Sequence, residues 1–364
     1  MVGTRPEVIK MAPVVAQLEA APDEFESVVC STGQHRELLD QAFELFSITP
    51  DIELNLMLPA QRLSELSARL FESLDRVLAK VEPDWVIAQG DTTTVMVSSI
   101  VAFNHEIPFG HVEAGLRTRD LRCPFPEEFN RRVADLTSRI CFAPTEWARR
   151  NLENEAVRDR DIVVTGNTVI DALQEMADRQ VNIYDGMLSN LPRTGRRILV
   201  TAHRRENLGE PLQRMCSAIR DLASEFAAEG VYFVYPVHPS PRVGETARSI
   251  LSGLPNVYLV DPIDYLTFIH LMKTSYLILS DSGGVQEEAP SFGIPVLLMR
   301  ETTERPEGVE AGVVRLVGTE SEAIVAATRE LLVDDRVYAR MAKATNPYGD
   351  GRAAVSYTHL TLPT

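Results

Sequence analysis

The segment Tyr276-Leu277-Ile278-Leu279-Ser280-Asp281-Ser282-Gly283-Gly284-Val285-Gln286-Glu287-Glu288 decides the fold. An apolar run of strand length ends in a polar turn, two glycines follow, and the pattern becomes helical. Strand, tight turn, helix is the repeating unit of α/β proteins. Two glycines let the backbone approach a ligand closely. The free N–H groups and positive dipole end of a helix start favour a phosphate. A helix capped by Ser282 is the plainer reading, but it needs no second glycine. Val285 also stands where a capping box would carry Glu or Gln. Glu288 falls on the first turns of that helix, where a carboxylate can accept hydrogen bonds from ribose hydroxyls.

Outward from this segment the same rhythm repeats. Strands are expected over 27–31, 85–89, 109–112, 139–143 and 162–165, and again over 198–202, 231–237, 257–260, 277–280, 296–299 and 313–317. Helical patterns fall between them, over 8–20, 93–104, 128–138, 211–228, 263–273, 285–292 and 321–332. The clearest sets Leu63, Leu66, Leu70, Leu74, Val77 and Leu78 on one face. Alternation of this kind predicts parallel sheets covered on both faces. Breakers at Asn182, Asp185-Gly186, Leu191-Pro192 and Thr194-Gly195 separate the two strand sets. The expected fold class is α/β, with two Rossmann-like doubly wound domains, 1–180 and 181–354, facing a cleft where such folds bind ligands. The tail 355–364 has neither helical nor strand periodicity and is read as foreign to the fold.

The composition agrees. At about 150 residues per domain, 364 residues make two domains. With 45% hydrophobic and 24% charged residues, a disordered or fibrous chain is excluded. The net charge of −16 makes nucleic acid a poor partner. An anion would have to be met by a local cluster of cations and N–H groups. No apolar run approaches the ~20 residues of a membrane span, and no signal peptide opens the chain. Cys30, Cys123, Cys141 and Cys216 show no CxxC or zinc-ligand spacing, so reduced thiols and a cytoplasmic location are expected.

Polar clusters follow several other expected strands. Gly3-Thr4-Arg5-Pro6-Glu7 with Lys10 opens the first helix. A capping box accounts for Thr4 and Glu7, and Pro6 suits a first turn. Arg5 and Lys10 are cations at the wrong end of a helix dipole, which suggests an anionic ligand. Asp91, in Gly90-Asp91-Thr92-Thr93-Thr94, reads as a helix N-cap or as a buried general base. Glu113, in His111-Val112-Glu113-Ala114-Gly115, reads as a solvated loop carboxylate or as a catalytic one. Glu127 and Arg131 stand four apart on a helix, as an ordinary ion pair would. His203 with Arg204 and Arg205, then His238 more weakly, then Arg305, sit where a phosphate would be met. There is no GxGxxG for a tightly held nicotinamide cofactor, no P-loop and no HExxH. No GxSxG nucleophile elbow appears either.

Taken in order, Gly3-Thr4-Arg5-Pro6-Glu7-x-x-Lys10, Gly90-Asp91-Thr92-Thr93-Thr94, His111-Val112-Glu113-Ala114-Gly115-Leu116-Arg117, Pro126-Glu127-Glu128, His203-Arg204-Arg205-Glu206, Asp281-Ser282-Gly283-Gly284-x-Gln286-Glu287-Glu288-Ala289-Pro290 and Asn346-Pro347-Tyr348-Gly349-Asp350-Gly351 resemble the bacterial non-hydrolysing UDP-N-acetylglucosamine 2-epimerases. The resemblance runs from Gly3 to about Ala354. It implies a glycosyltransferase-B-like fold with UDP held by the C-terminal domain. The implied activity is interconversion of UDP-GlcNAc and UDP-ManNAc by anti elimination of UDP to 2-acetamidoglucal and re-addition, with no cofactor and no metal. It implies Asp91, Glu113, Glu127 and His203 as catalytic residues. Arg5, Lys10 and Arg131 would meet the leaving phosphate or the sugar. Ser282, Gly283, Gly284 and Arg305 would meet the diphosphate, Glu288 the ribose and Phe268 the uracil. It implies a homodimer that takes a UDP-sugar as substrate in the cytoplasm, without nucleic-acid or membrane partners, and serves polysaccharide biosynthesis. Gln34, His35, Gln61 and His238 are similar to positions where some members bind a second UDP-GlcNAc as activator, although Ala60 stands where some of those have Arg.

The chain departs from that family at its ends. Relatives carry an apolar first strand before Gly-Thr-Arg-Pro-Glu and a closing helix after Asn-Pro-Tyr-Gly-Asp-Gly. Here the first appears truncated and the second replaced by the tail, so reduced stability is expected. The alternatives are a hydrolysing or diacetamido-sugar 2-epimerase, a glycosyltransferase of the same fold, or a non-catalytic UDP-sugar sensor. Thr4, Pro6 and Glu7 argue against the first two. Asp91, Glu113 and Glu127 favour proton chemistry at C2 over glycosyl transfer.

Overall fold

The computed structural model describes residues 1–33, 36–58 and 61–360. The strands are β1 (Cys30–Ser31), β2 (Ile52–Glu53), β3 (Val86–Gln89), β4 (Phe109–Val112), β5 (Ile140–Ala143), β6 (Ile162–Val164), β7 (Arg196–Thr201), β8 (Val231–Pro236), β9 (Val257–Val260), β10 (Leu277–Ser280), β11 (Val296–Leu298) and β12 (Val314–Leu316). Helices alternate with them, and the pairings within each sheet are parallel. The chain divides into two compact units, Met1–Ala172 with Tyr348–Thr364, and Leu173–Pro347.

The second unit is built on a six-stranded sheet in the order β9-β8-β7-β10-β11-β12. The chain winds outward from β7 in one direction and then from β10 in the other. The order therefore reverses between β7 and β10, and the crevice at the carboxyl ends of that pair is where open α/β sheets take ligands. β7 and β10 run in register, Ile198 beside Leu277 and Thr201 beside Ser280. Both strands are buried on both faces, as a sheet sandwiched by helices requires. Ile198, Val200, Phe233, Leu279 and Leu297 pack under Leu212, Met215, Ile219 and Leu222 of the helix Glu210–Glu225.

The first unit carries a four-stranded sheet, β3-β4-β5-β6, and a separate pair, β1-β2. Among the described residues, only Met1 and Val2 run between β1 and β3. Val2 bridges Ser31 in parallel, and the Met1 ammonium donates to the Ile87 carbonyl at 2.9 Å. A cavity of about 710 Å³ lies beside them, lined by Val15, Val28, Val29, Trp85 and Val86 among others. On the helix Leu63–Val81, Leu66, Leu70, Leu74 and Leu78 are buried, as the heptad-like spacing predicts. Leu63 is not: it is the first helical residue and stays 44% exposed.

Two expectations change. The domain boundary near 180 and the assignment of 348–354 to the second domain give way to a chain that crosses at Leu173 and returns at Tyr348. The return is held by specific polar contacts. The Asn167 N–H donates to the Tyr348 carbonyl at 2.7 Å, and the Asp171 carboxylate accepts from the N–H groups of Ala353 and Ala354 at 3.2 and 2.8 Å. That carboxylate caps the helix Ala353–Leu360, so the segment read as foreign begins as structure. Tyr357 is 1% exposed, with its ring 4.3 Å from that of Phe142. The short pair partner β2 was not foreseen. Among the described residues no helix is long and apolar enough to cross a membrane, and no cluster could hold a metal.

Candidate active site

In the first unit, Asp91 and Glu113 follow the adjacent parallel strands β3 and β4, whose register pairs Gln89 with Val112. Asp91 is not the N-cap of the helix Thr93–Asn104. Thr92 takes that role, its hydroxyl accepting from the Val95 N–H at 3.4 Å. The Asp91 carboxylate is thereby left to Arg131, whose Nη2 lies 2.6 Å from Oδ2. The Asn130 side chain also donates to the Asp91 carbonyl at 2.9 Å.

Arg131 therefore does not form the expected pair with Glu127. It turns toward Asp91, and its Nη1 is 3.5 Å from Glu128 Oε2. Its Nε and Nη1 are buried and donate no hydrogen bond. Glu127 Oε2 is likewise buried without a hydrogen-bond partner. An acceptor and two donors of this kind, held in one short helix, are groups a ligand would satisfy.

Glu113 sits in the left-handed region at φ +64°, which costs a non-glycine residue about 1 kcal/mol. The surroundings hold it there. Lys10 Nζ donates to Oε1 at 2.6 Å, the Asn167 amide donates to Oε1 at 3.1 Å, and the Gln89 amide donates to Oε2. Gln89 and Asn167 carry no local signal, and the sequence reading missed both. Lys10, placed there as a phosphate contact, reaches this carboxylate. Glu7 does more than cap. It is 2% exposed and accepts from Gly3 N at 2.5 Å, Thr4 N at 2.9 Å and the Thr92 hydroxyl at 2.6 Å. Burial, joined by the nearby Asp91 charge, pushes its carboxyl above the usual range against those hydrogen bonds. Arg5 is half-buried at the start of the same helix.

In the second unit, the loops after β7 and β10 meet at the strand-order reversal. Asp281 is fully buried. Its carboxylate accepts from the N–H groups of His203 (3.0 and 3.1 Å) and Arg204 (2.9 Å) and from the Asn207 amide (3.0 Å). It thus latches the His203–Asn207 loop in place. The His203 ring stacks on that of His238, 5.4 Å between centroids and 7° from parallel. Burial lowers the His203 imidazole below its usual value, Asp281 opposes this, and His238 and Arg204 add to it. His203 is consequently held toward its neutral form.

Ser282 begins the helix Gly283–Glu288 but makes no side-chain cap. Gly283 is needed for space: a Cβ there would stand 3.0 Å from Arg305 Nη1 and 3.1 Å from Arg204 Nη2. Both guanidiniums are arranged by Glu304, which receives Arg305 Nη1 at 2.6 Å, Arg300 Nη1 at 2.8 Å and Arg204 Nη2 at 3.1 Å. Despite burial, Arg305, Arg300 and Arg204 hold the Glu304 carboxyl well below the usual range. Arg305 also donates to Glu287. Three arginines beside two glycines at a helix start are groups that could meet an anion. Arg300 and Glu304 were missed because their charge reads as an ordinary polar loop. Glu288 is buried four residues beyond Gly284, and Phe268 is half-buried against the core beneath.

Of the activator positions, Gln61 is half-buried and its carboxamide bonds to Met57 and Arg69. His238 is exposed, and its Nδ1 accepts from Ser240 N at 3.1 Å. Gln34, His35 and Ala60 lie outside the described residues.

Comparison with known proteins converges on one family. The family model described as UDP-N-acetylglucosamine 2-epimerase matches residues 16–360. The UDP-N-acetylglucosamine 2-epimerase of Yersinia pestis is 51% identical over 358 residues, covering 96% of this chain and 94% of its own. The crystal structure of the UDP-GlcNAc 2-epimerase of Neisseria meningitidis bound to UDP-GlcNAc superposes with a TM-score of 0.91 at 45% identity, covering 98% of this chain and 97% of that one. A glycotransferase of kitacinnamycin, 15% identical with a TM-score of 0.64 and covering 100% of this chain and 98% of its own, shares the fold alone. The chain thus has the α/β glycosyltransferase-B-like fold and belongs to the UDP-N-acetylglucosamine 2-epimerase family.

Proposed function

We propose that this chain interconverts UDP-GlcNAc and UDP-ManNAc without releasing free sugar. One observation supports the reading: Asp91 and Glu113 follow adjacent paired strands, two residues past Gln89 and one past Val112, each is matched to a cation, and the buried Oε2 of Glu127 has no hydrogen-bond partner. A glycosyltransferase has no need of such a set of carboxylates. A C2 epimerase needs one group to remove a proton and one to return it to the other face.

The reaction runs in balance. As the C1–O bond lengthens, its electron pair leaves with UDP. A carboxylate of the set takes the C2 proton, the C2–H pair forms the C1–C2 double bond, and 2-acetamidoglucal results. Protonation at C2 from the opposite face and return of UDP to C1 give the epimer. UDP leaves only if its growing charge is met by fixed donors. Arg204, Arg305 and the Ser282–Gly284 backbone are suited to the diphosphate, Glu288 to the ribose and Phe268 to the base. Arg5, Lys10 and Arg131 supply positive charge on the sugar side, and His203, kept neutral, can carry a proton.

A second UDP-GlcNAc acting as activator belongs to the same proposal. The exposed ring of His238, stacked on His203, gives such a ligand a route to a catalytic group. A homodimer is supported by apolar exposure. Phe129 and Leu136, seven apart on the helix Glu127–Thr137, are 48% and 83% exposed, and Phe103 on another helix is 65% exposed. Light scattering would read twice the chain mass for wild type and less for Leu136→Glu.

The test of the activity is proton NMR of UDP-GlcNAc with the protein in D₂O. Deuterium at C2 together with UDP-ManNAc supports the proposal. Free ManNAc with UDP would assign the hydrolysing reaction instead, and binding without exchange would assign a sensor.

A further inference from the structure

Behind Asp91 stands a histidine that the reaction as written does not use. His111 lies on β4 and is fully buried. Its Nδ1 is 2.5 Å from Asp135 Oδ1, and its Nε2 is 2.7 Å from the carbonyl oxygen of Gly90. Both partners are acceptors only. A neutral imidazole has one N–H and one lone pair. One of the two contacts would then set lone pair against lone pair at hydrogen-bond distance, in an interior where an unmet polar group is costly. Only the doubly protonated ring satisfies both.

Asp135, from the helix Glu127–Thr137, also accepts from Arg117 Nη2 at 2.6 Å and from Gly115 N at 3.3 Å. Arg117 continues to Glu155 at 2.8–2.9 Å. His111 and Arg117 thus face Asp135, and Glu155 is shared by Arg117 and, at 3.6 Å, by Arg132. Burial opposes the charge on His111, but Asp135 and the Gly90 carbonyl outweigh it, Arg117 notwithstanding, and the ring holds its proton above the usual range.

The held peptide is the one that carries Asp91. Gly90 is at φ +90°, its N–H donates to the Val112 carbonyl at 3.0 Å, and its carbonyl is taken by His111. We propose that His111 is a permanently charged positioning residue, an imidazolium that clamps the Gly90 carbonyl and so fixes the Asp91 carboxylate, while its link through Asp135 to Gly115 and Arg117 ties the Asp91 and Glu113 loops into one frame. The inference rests on the proposed epimerase reading for its effect on rate, and on geometry alone for the charge of the ring.

The two parts are tested separately. In ¹⁵N-labelled wild-type protein at pH 8, both ring nitrogens of His111 should carry slowly exchanging protons. A single protonated nitrogen there would overturn the inference whatever the enzyme does. Given C2 exchange by wild type, His111→Gln should lower kcat by about 100-fold, the cost of a misplaced catalytic group. KM should stay within about twofold, since binding is not what is lost. An unchanged kcat would overturn the positioning role. Should His111→Gln fail to fold, Asp135→Asn keeps the shape and removes the charge that holds the proton. Its kcat should fall as pH rises and recover toward pH 6, with one ring N–H lost in step. A flat pH profile with both N–H groups intact would refute the clamp.

Discussion

Lys10 Nζ lies 2.6 Å from Glu113 Oε1, and the two side chains are only 13% and 6% exposed. A hundred residues apart, they join the first helix to the loop after β4. Removing one member of a buried pair strands the other charge, at about 3–5 kcal/mol. Lys10→Met should therefore lower the melting temperature by roughly 6–20 °C, at about 2–4 °C per kcal/mol for a unit this size. The double variant with Glu113→Gln should regain most of that. Additive losses in the double variant would show that the pair is not coupled.

Gly283 separates ligand binding from folding. An added methyl meets only the ends of Arg305, Arg204 and Glu304, at 3.0–3.3 Å. These are side-chain ends that can shift, and alanine loses less backbone freedom than glycine on folding where the conformation suits it. Gly283→Ala should thus melt at or above the wild-type temperature while binding UDP about tenfold or more weakly, read by calorimetric titration. Full UDP affinity in this variant would remove Arg204 and Arg305 from the diphosphate site.

Glu7 should make stability pH-dependent. Its carboxyl titrates above the ordinary 4.5 because burial favours the neutral form. A group raised in this way binds its proton more tightly when folded, so its contribution is whole below about pH 4.5 and is lost as pH rises through the folded value. Glu7→Gln keeps an acceptor for the Gly3 and Thr4 N–H groups and lets its amide donate to the Thr92 hydroxyl, without the charge. The melting temperature of the variant minus that of wild type should grow from pH 4 to pH 8. A constant difference would show that Glu7 does not titrate in that window.

What the sequence carried, and what it did not, follows from range. Strand ends and helix starts are local patterns, so Asp91, Glu113, His203 and Asp281–Gly284 stand where apolar runs stop. Capping chemistry is local too, yet Thr92 and Asp91 compete for one helix end, and Arg131, forty residues on, decides between them. Gln89 and Asn167 hold Glu113, Asp281 latches the His203 loop, and Glu304 gathers three arginines. Apart from Arg300 and Arg305, which neighbour Glu304 in sequence, these are polar contacts across long separations that no periodicity records. The helix Ala353–Leu360 escaped the sequence for the same reason: its first N–H groups are met by Asp171, 182 residues earlier.

The edge beside Met1 yields the last prediction. Along β3 successive peptide groups point to alternate sides. The Val86 N–H donates to Pro108 and the Ile87 carbonyl accepts from Met1, so the Trp85 peptide faces the same way as Ile87. Cys30 accepts from Val2 on the opposite edge, so the Val28 peptide faces inward as well, and its side chain is 41% exposed. The cavity of about 710 Å³ beside Met1 is lined from both edges, by Val28, Val29 and Cys30 and by Trp85, Val86 and Ile87. Five apolar, β-branched residues added before Met1 would pair with both edges and bury their side chains against Val15, Val28 and Trp85. At about 25 cal/mol per Å² of apolar surface, even 120 Å² is worth about 3 kcal/mol. The melting temperature should rise by several degrees, and an extension of alternating Asp and Lys should leave it unchanged. Equal melting temperatures for the two extensions would mean that this edge does not accept a strand.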